Sequence, residues 1–172
     1  YTETKRFDWI RGYHVGGRSL LWARQSYRLS PMDFEANARE GVGVDWPIRY
    51  EDLAPWYDHA ERFAGVSGRR ENLPQLPDGV FQAPMEFNAV EKLFKAKVEQ
   101  AHPESCVTIG RVANLTEPTE EQKSLGRGTC QNRNMCIRGC PFGAYFSSNS
   151  ATLPAATRTG RMTLQPDAIV TA

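Results

Sequence analysis

Arg11-Gly12-Tyr13-His14-Val15-Gly16-Gly17-Arg18-Ser19-Leu20-Leu21-Trp22 is the stretch on which the reading of this chain turns. Two adjacent glycines let a backbone pass close to a bulky anion, and their N–H groups can point at phosphate oxygens. Ser19 adds a hydroxyl donor, and Arg11 and Arg18 supply positive charge suited to a pyrophosphate. The same pair also serves as an ordinary turn, so the surrounding sequence has to choose between the two.

Outward from that stretch, 14 glycines and 11 prolines divide the chain into short elements with long connections. Residues 1–30 read as loop and strand. Ser30 as N-cap and Pro31 at the first helical position predict a short helix to Arg39. Leu53, Trp56, Tyr57, Ala60, Phe63 and Ala64 recur at helical spacing and predict a helix over 51–64, with Pro55 in its first turn. Asn88 and Glu91 form a capping-box pattern for a second helix over 89–101. Val90, Leu93, Phe94, Val98 and Ala101 are its expected buried face. Cys106–Ala113 alternates like a strand, 114–129 reads as polar loop, a short helix is expected near 150–158, and a strand near 162–171. Asp45, Glu51, Asp52, Asp58 and Glu61 read as a solvated helix face with capping near its start.

The 172 residues fit one domain or a slice of a larger one, at 40% hydrophobic and 24% charged. A formal net charge of +1 implies no polyanion partner, and no apolar run is long enough to cross a bilayer. Few strands, two good helices and long loops make a poor stand-alone domain. The start at Tyr1 and the stop at Ala172 inside an apparent strand read as the ends of an internal piece.

A second stretch, Asp45-Trp46-Pro47-Ile48-Arg49-Tyr50-Glu51-Asp52-Leu53-Ala54-Pro55-Trp56-Tyr57, followed by Glu61 and Gly65-Val66-Ser67-Gly68, decides how to read the glycine pair. It resembles the "DWP-I-x-Y-x-D-L-x-P-Y-Y" block of glucose-methanol-choline (GMC) oxidoreductases. The branch is that of gluconate and sugar dehydrogenases and glycoside 3-dehydrogenases. The glycine stretch resembles the family segment that lies along the flavin. The resemblance implies an α/β fold, α+β as a fragment: part of an FAD-binding domain with helical and loop insertions from the substrate domain. Residues 1–30 would be an FAD-binding segment, 31–150 the substrate-domain side with the cysteines, and 151–172 the return to the FAD domain. Gly16, Gly17, Arg18, Ser19 and Trp22 would contact FAD. Arg18 departs from the Ser, Thr or Gly of many members. Trp22 stands where glucose-oxidase-like members have Asn. Leu21 replaces a His that carries a covalent flavin bond in some relatives, so non-covalent FAD is expected.

Cys130-x5-Cys136-x3-Cys140-Pro141 carries the other chemistry. Thiolates suit soft or borderline metals, and close cysteines on a loop can converge on one cluster. The spacing fits neither a zinc C-x2-C pair nor the ferredoxin run. A disulfide with a third buried thiol is an alternative, as is zinc with His102 or Cys106 as fourth ligand. The motif, with Cys140-Pro141-Phe142-Gly143-Ala144, resembles an insertion in certain bacterial sugar dehydrogenases whose three cysteines hold a three-iron, four-sulfur cluster. Some of those relatives have a further Cys where this chain has Gln131.

Tyr145–Ser150 and Leu153–Ala156 resemble the family's link back into the flavin domain, and Gly160–Val170 the next strand, where the residue matching Val170 reads adenine through its backbone. An ordinary buried strand is the alternative. The catalytic base, a His in the family, would lie beyond Ala172; His14, His59 and His102 are expected to be positioning or surface residues. The resemblance implies a sugar or polyol substrate and a non-oxygen acceptor. It also implies a small subunit and cytochrome as partners, and a periplasmic or membrane-associated location. The competing reading is a non-catalytic metal-binding or interaction module using the cysteine loop alone.

Overall fold

The computed structural model describes residues 2–6 and 10–169, apart from the side chain of Ile137. Val170, expected to read adenine, lies outside them. Among the described residues, five α-helices punctuate long loops: α1 (Pro31–Glu40), α2 (Tyr50–Ala64), α3 (Ala89–Ala101), α4 (Glu120–Ser124) and α5 (Leu153–Arg158). A 3-10 turn (Gly17–Leu20), another at Cys136–Arg138, and a π turn (Ser148–Thr152) leading into α5 complete the set.

Local capping explains where the helices start. At α1, the Asp33 carboxylate accepts both the Ser30 N–H (2.6 Å) and the Ser30 hydroxyl (2.8 Å), with Pro31 at the start. At α3, Asn88 and Glu91 exchange reciprocal bonds of 2.8 and 3.0 Å. The 114–129 stretch is not all loop. Thr119 accepts from Gln122 N–H and opens α4. Pro55 falls in the second turn of α2, since that helix begins at Tyr50.

Among the described residues there is no extended sheet, only isolated bridges, and 162–169 is unpaired. The strand expected over 106–113 does not form; residues 106–110 are irregular, and isolated bridges at Val112 and Asn114 make 111–115 a hub instead. Val112 and Ser67 exchange N–H···O=C bonds of 2.9 and 3.0 Å. Ser26 N–H donates to Arg111, Ala113 N–H to Arg24, Leu115 N–H to Ala144, and Phe146 N–H to Ala113. Arg111, Ala113, Asn114 and Leu115 are buried, Ala113 and Leu115 completely.

With so little sheet, most loop carbonyls lack ladder partners, and buried carbonyls need donors. Arginines supply them: Arg24, Arg111 and Arg127 are the largest fully buried side chains. Arg127 donates to the carbonyls of Phe63 and Ala64 at the end of α2 (3.2 and 2.9 Å). It also reaches those of Gly143 and Ala144 (2.9 and 3.3 Å). Cations suit a helix C-terminus because its last carbonyls are unpaired. Arg111 reaches the carbonyls of Leu76 and Pro77 and the Asp78 carboxylate.

Two expectations about faces are corrected. Glu61 is buried, the one buried residue of α2, while Trp56 on the apolar stripe is 69% exposed. Glu61 and Asp58 are not a solvated face, because both grip Arg28 (2.6 and 2.5 Å). The apolar face of α3 is not buried either: Val90, Leu93 and Phe94 are 76%, 61% and 61% exposed. Helical periodicity marks a face that can be covered, and nothing among the described residues covers it.

Candidate functional site

The glycine pair forms a tight left-handed turn. Gly16 and Gly17 have φ of +97° and +48°, a region that L side chains disfavour. The Gly17 N–H closes on the His14 carbonyl (2.9 Å), and the 3-10 turn follows at once. The Ser19 hydroxyl donates to the Gly16 carbonyl (2.6 Å) and accepts the Ser148 N–H (2.9 Å). Its proton is therefore used to clasp the turn, and the exposed Arg18 is the charged group facing outward.

The clasp joins segments more than 120 residues apart. Asn149 Nδ2 donates to the Val15 carbonyl (3.0 Å), and Tyr145 OH to the Ala23 carbonyl (2.9 Å). Arg24 Nε donates to the Phe146 carbonyl (2.6 Å), and its other nitrogens reach the carbonyls of Ser19, Leu20 and Trp22. Trp22 meets Phe146 edge to face at 6.2 Å. Burial pushes the Arg24 pKa down from its ordinary value.

Two clefts flank this turn. One, of about 450 Å3, is lined by Ile10, Arg18, Ser19, Leu21, Trp22 and Phe146. The other, of about 770 Å3, brings Tyr13, His14 and Gly16 together with Ser148 and the 164–169 segment. The first is a mainly apolar slot and the second a more polar cleft. His14, His59 and His102 are all exposed.

Cys130, Cys136 and Cys140 line one cleft together with Asn114, Phe142 and Tyr145. All are half-buried free thiols, with no disulfide among them. Cys130 Sγ accepts the Asn132 N–H at 3.4 Å, and Cys130 N–H donates to the hub at Leu115 (2.8 Å). Among the described residues, no three His, Cys, Asp or Glu side chains converge as ligands of a single ion. Neither His102 nor Cys106 lines the cysteine cleft, which leaves a zinc site without its expected fourth ligand. The Asn114 Oδ1 on this cleft is buried without a hydrogen-bond partner.

Two cations stand beneath the loop. Arg24 lies 3.9 Å from the Tyr145 ring centroid and lines a cleft shared with Cys140. Arg127 holds the Gly143 carbonyl, three residues past Cys140. Burial pushes its pKa down to about 10, opposed by the neighbouring Cys140. It bonds only carbonyls, with no carboxylate partner among the described residues. The sequence reading did not single out these arginines, nor the Arg28–Glu61 pair. An Arg surrounded by Gly, as in Gly126-Arg127-Gly128, is the one local hint that a guanidinium is packed against backbone.

No family model matches the chain. Curated relatives do. The fructose dehydrogenase large subunit of Gluconobacter japonicus is 30% identical over 145 residues, covering 82% of this chain and 25% of that protein. The 2-methyl-1,2-propanediol dehydrogenase of Mycolicibacterium austroafricanum is 39% identical over 67 residues, 38% of this chain and 12% of its own length. Paromamine 6'-oxidase of Streptomyces fradiae is 28% identical over 137 residues, 76% of this chain and 23% of its own. The chain spans a quarter or less of each of these relatives. No helix among the described residues is long and apolar enough to cross a membrane. With the clasped glycine turn and the Asp45–Tyr57 block pointing the same way, these relatives show that the chain belongs to the glucose-methanol-choline family of oxidoreductases.

Proposed function

We propose that this chain is part of an FAD-dependent dehydrogenase that oxidises a CH–OH group of a sugar or related polyol and passes the electrons to an acceptor other than oxygen. The observation that carries the reading is the clasp: Ser19 with Ser148, Val15 with Asn149, and Trp22 against Phe146. These are the two segments whose resemblance to the flavin-binding region was independent in sequence. Their union leaves a slot and a cleft on either side of a left-handed glycine pair. FAD, when bound, supplies the hydride acceptor. This chain's part is to hold the cofactor: Gly16 and Gly17 give close backbone approach, Arg18 gives charge, and Trp22 gives an apolar wall. An α/β FAD-binding domain would be completed by chain beyond this segment, including the base that takes the hydroxyl proton.

The cysteine loop supports the acceptor side. Cys130, Cys136 and Cys140 would hold an iron–sulfur cluster. Three soft thiols on one cleft, above two buried guanidiniums, are a donor set and a field that suit an anionic metal–thiolate centre. The alternative, a module that binds metal or a partner without catalysis, would leave the glycine clasp with no purpose beyond structure.

The test is anaerobic spectroscopy of the full-length protein with a panel of sugars and polyols. A bound flavin that bleaches with one of them is the expected result. Full-length protein without flavin would refute the reading. Iron and acid-labile sulfide analysis separates the cluster from the alternative, and absence of both would remove it.

A further inference from the structure

Among the described residues four arginines are buried: Arg24, Arg28, Arg111 and Arg127. They are not neutralised alike. Arg28 meets the carboxylates of Asp58 and Glu61, and Arg111 meets that of Asp78. Arg24 and Arg127 meet only carbonyls among the described residues. A carbonyl satisfies an N–H but cancels no charge, so these two remain cations inside the protein.

Arg24 is the one whose bonds end on the apolar slot. Its guanidinium takes the carbonyls of Ser19 (2.9 Å), Trp22 and Phe146 (2.6 Å), which are three of the six residues lining that slot. The carbonyls of this wall are therefore turned toward Arg24, and its charge stands behind the wall, 5.7 Å from the Trp22 ring centroid. Four of its five N–H donors are spent in this way. The residue is 2% exposed, with the Tyr145 ring against it, so its surroundings are set within this segment.

The backbone at Arg24 is also held in a disfavoured state. Its φ is +61°, a left-handed conformation that L side chains rarely adopt. The Ala113 N–H and the Ser26 hydroxyl, each at 2.9 Å from its carbonyl, keep it there. Strain of this kind persists where the surroundings over-determine it, and it concentrates at functional sites. An apolar side chain would fill the same space without burying an uncancelled charge.

We propose that Arg24 is a positioning residue of the flavin slot, fixing its wall and lending a buried positive charge that favours the reduced, anionic cofactor. The assignment rests on the dehydrogenase reading for the presence of flavin. As a CH–OH becomes C=O, the hydride carries two electrons and one proton to the cofactor, and the hydroxyl proton leaves to a base. Reduction therefore adds one negative charge unless a second proton follows. The cation behind the wall opposes that second proton and draws the hydride equilibrium toward product. Even across about 10 Å, at an effective dielectric constant of about 20, a unit charge shifts such an equilibrium more than tenfold.

The experiment titrates the flavin of the full-length holoenzyme against reference dyes, so no sugar is needed. Arg24→Met should weaken flavin reduction at least about tenfold, a fall of about 30 mV for a two-electron couple. Arg24→Lys loses the fork that gathers the carbonyls but keeps the charge, so its potential should stay closer to wild type. Because the charge is buried, the gap between the two variants should persist at high salt. An unchanged potential in Arg24→Met, or equal shifts in both variants, would overturn the proposal and leave Arg24 a purely structural brace. The wild-type protein supplies a test that needs no variant to fold. Below neutrality its potential should still move with one proton per two electrons, where free reduced flavin takes a second; two protons would overturn the proposal as well. A flavin that shows the charge effect yet is bleached by no sugar or polyol would support Arg24 and count against the substrate reading alone.

Discussion

Replacing Glu61 by Leu tests whether the buried ion network at the end of α2 holds this loop-rich chain together. Glu61 accepts Arg28 Nε at 2.8 Å and Nη2 at 2.6 Å, and its Oε2 also accepts the Val80 N–H at 2.8 Å. The two side chains are 4% and 7% exposed. Removing one partner of a buried pair strands the other charge and costs about 3–5 kcal/mol. Here Arg28 keeps Asp58, whose side chain is 35% exposed, and the Tyr50 hydroxyl at 3.1 Å. That retained contact places the expected loss at the lower end, about 3 kcal/mol. For a urea slope of about 1.5–2 kcal/mol/M, the midpoint should fall by about 1.5–2 M.

The assay is equilibrium urea unfolding followed by tryptophan fluorescence, with Trp46 and Trp56 close to the network in sequence. Arg28→Met with Glu61→Leu supplies the control, since removing both members of the pair leaves neither as a stranded buried charge. The double variant is expected to be more stable than Glu61→Leu alone. A shift below about 0.5 M for the single variant, or a double variant that loses the sum of both singles, would refute the buried-pair argument. The hydrogen bond to Glu61, ahead of the opposing burial, raises the Arg28 pKa. A raised pKa gives stability that is complete below the unfolded value and lost only as pH rises through the folded one. Alkali below the ordinary arginine range should therefore leave this contribution intact.

Three further outcomes are expected. A Cβ at Gly16 would run into Asn149 Oδ1, whereas at Gly17 it has room and only φ opposes it. Gly16→Ala should thus release more flavin from the full-length protein than Gly17→Ala, as read by bound-flavin absorbance; equal retention would show that the clasp is incidental. Arg127→Lys should cost about 2–3 kcal/mol in urea unfolding, because one ammonium cannot reach the four carbonyls that the guanidinium bridges. Bonds from the Ser30 N–H and hydroxyl hold the Asp33 carboxyl below its usual range. Its contribution to α1 is present above the unfolded value and lost as pH falls through the folded one, so Asp33→Ala should flatten the acid-side stability curve.

What the sequence made legible was local. The caps at Ser30 and Asn88 and the helical spacing of α2 and α3 identify helices because capping and periodicity act within a few residues. The short helix near 150–158 was also readable, although its first turn is π rather than α. Partners across long separations were not readable. Glu61 and Asp58 repeat with the polar face of α2, and only the arrival of Arg28 from 33 residues away turns that face inward. The α3 stripe was read correctly as a stripe, but Val90, Leu93 and Phe94 say nothing of what packs on them. At the candidate site, the glycines and cysteines were visible by type. That Ser19 is clasped by Ser148 was not, since a serine in sequence looks the same whether it is free or engaged.

The arginines supply the physical link between these halves. A chain with isolated bridges in place of a sheet has loop carbonyls to satisfy, and a guanidinium can serve several at once with its five donors. Arg24 gathers the carbonyls of Ser19, Leu20 and Trp22 on one side of the glycine turn and that of Phe146 on the other. Arg127 ties the end of α2 to Gly143 and Ala144, on the cysteine side. Both reach the same short stretch, 143–146, and the hub at 111–115 fixes that stretch through Leu115 N–H to Ala144 and Phe146 N–H to Ala113. The glycine turn and the thiol loop are thus anchored to one strip of backbone rather than hung on separate loops. A substitution that loosens this strip should disturb both at once, whereas one confined to the exposed Arg133 and Arg138 should leave the strip and the turn untouched.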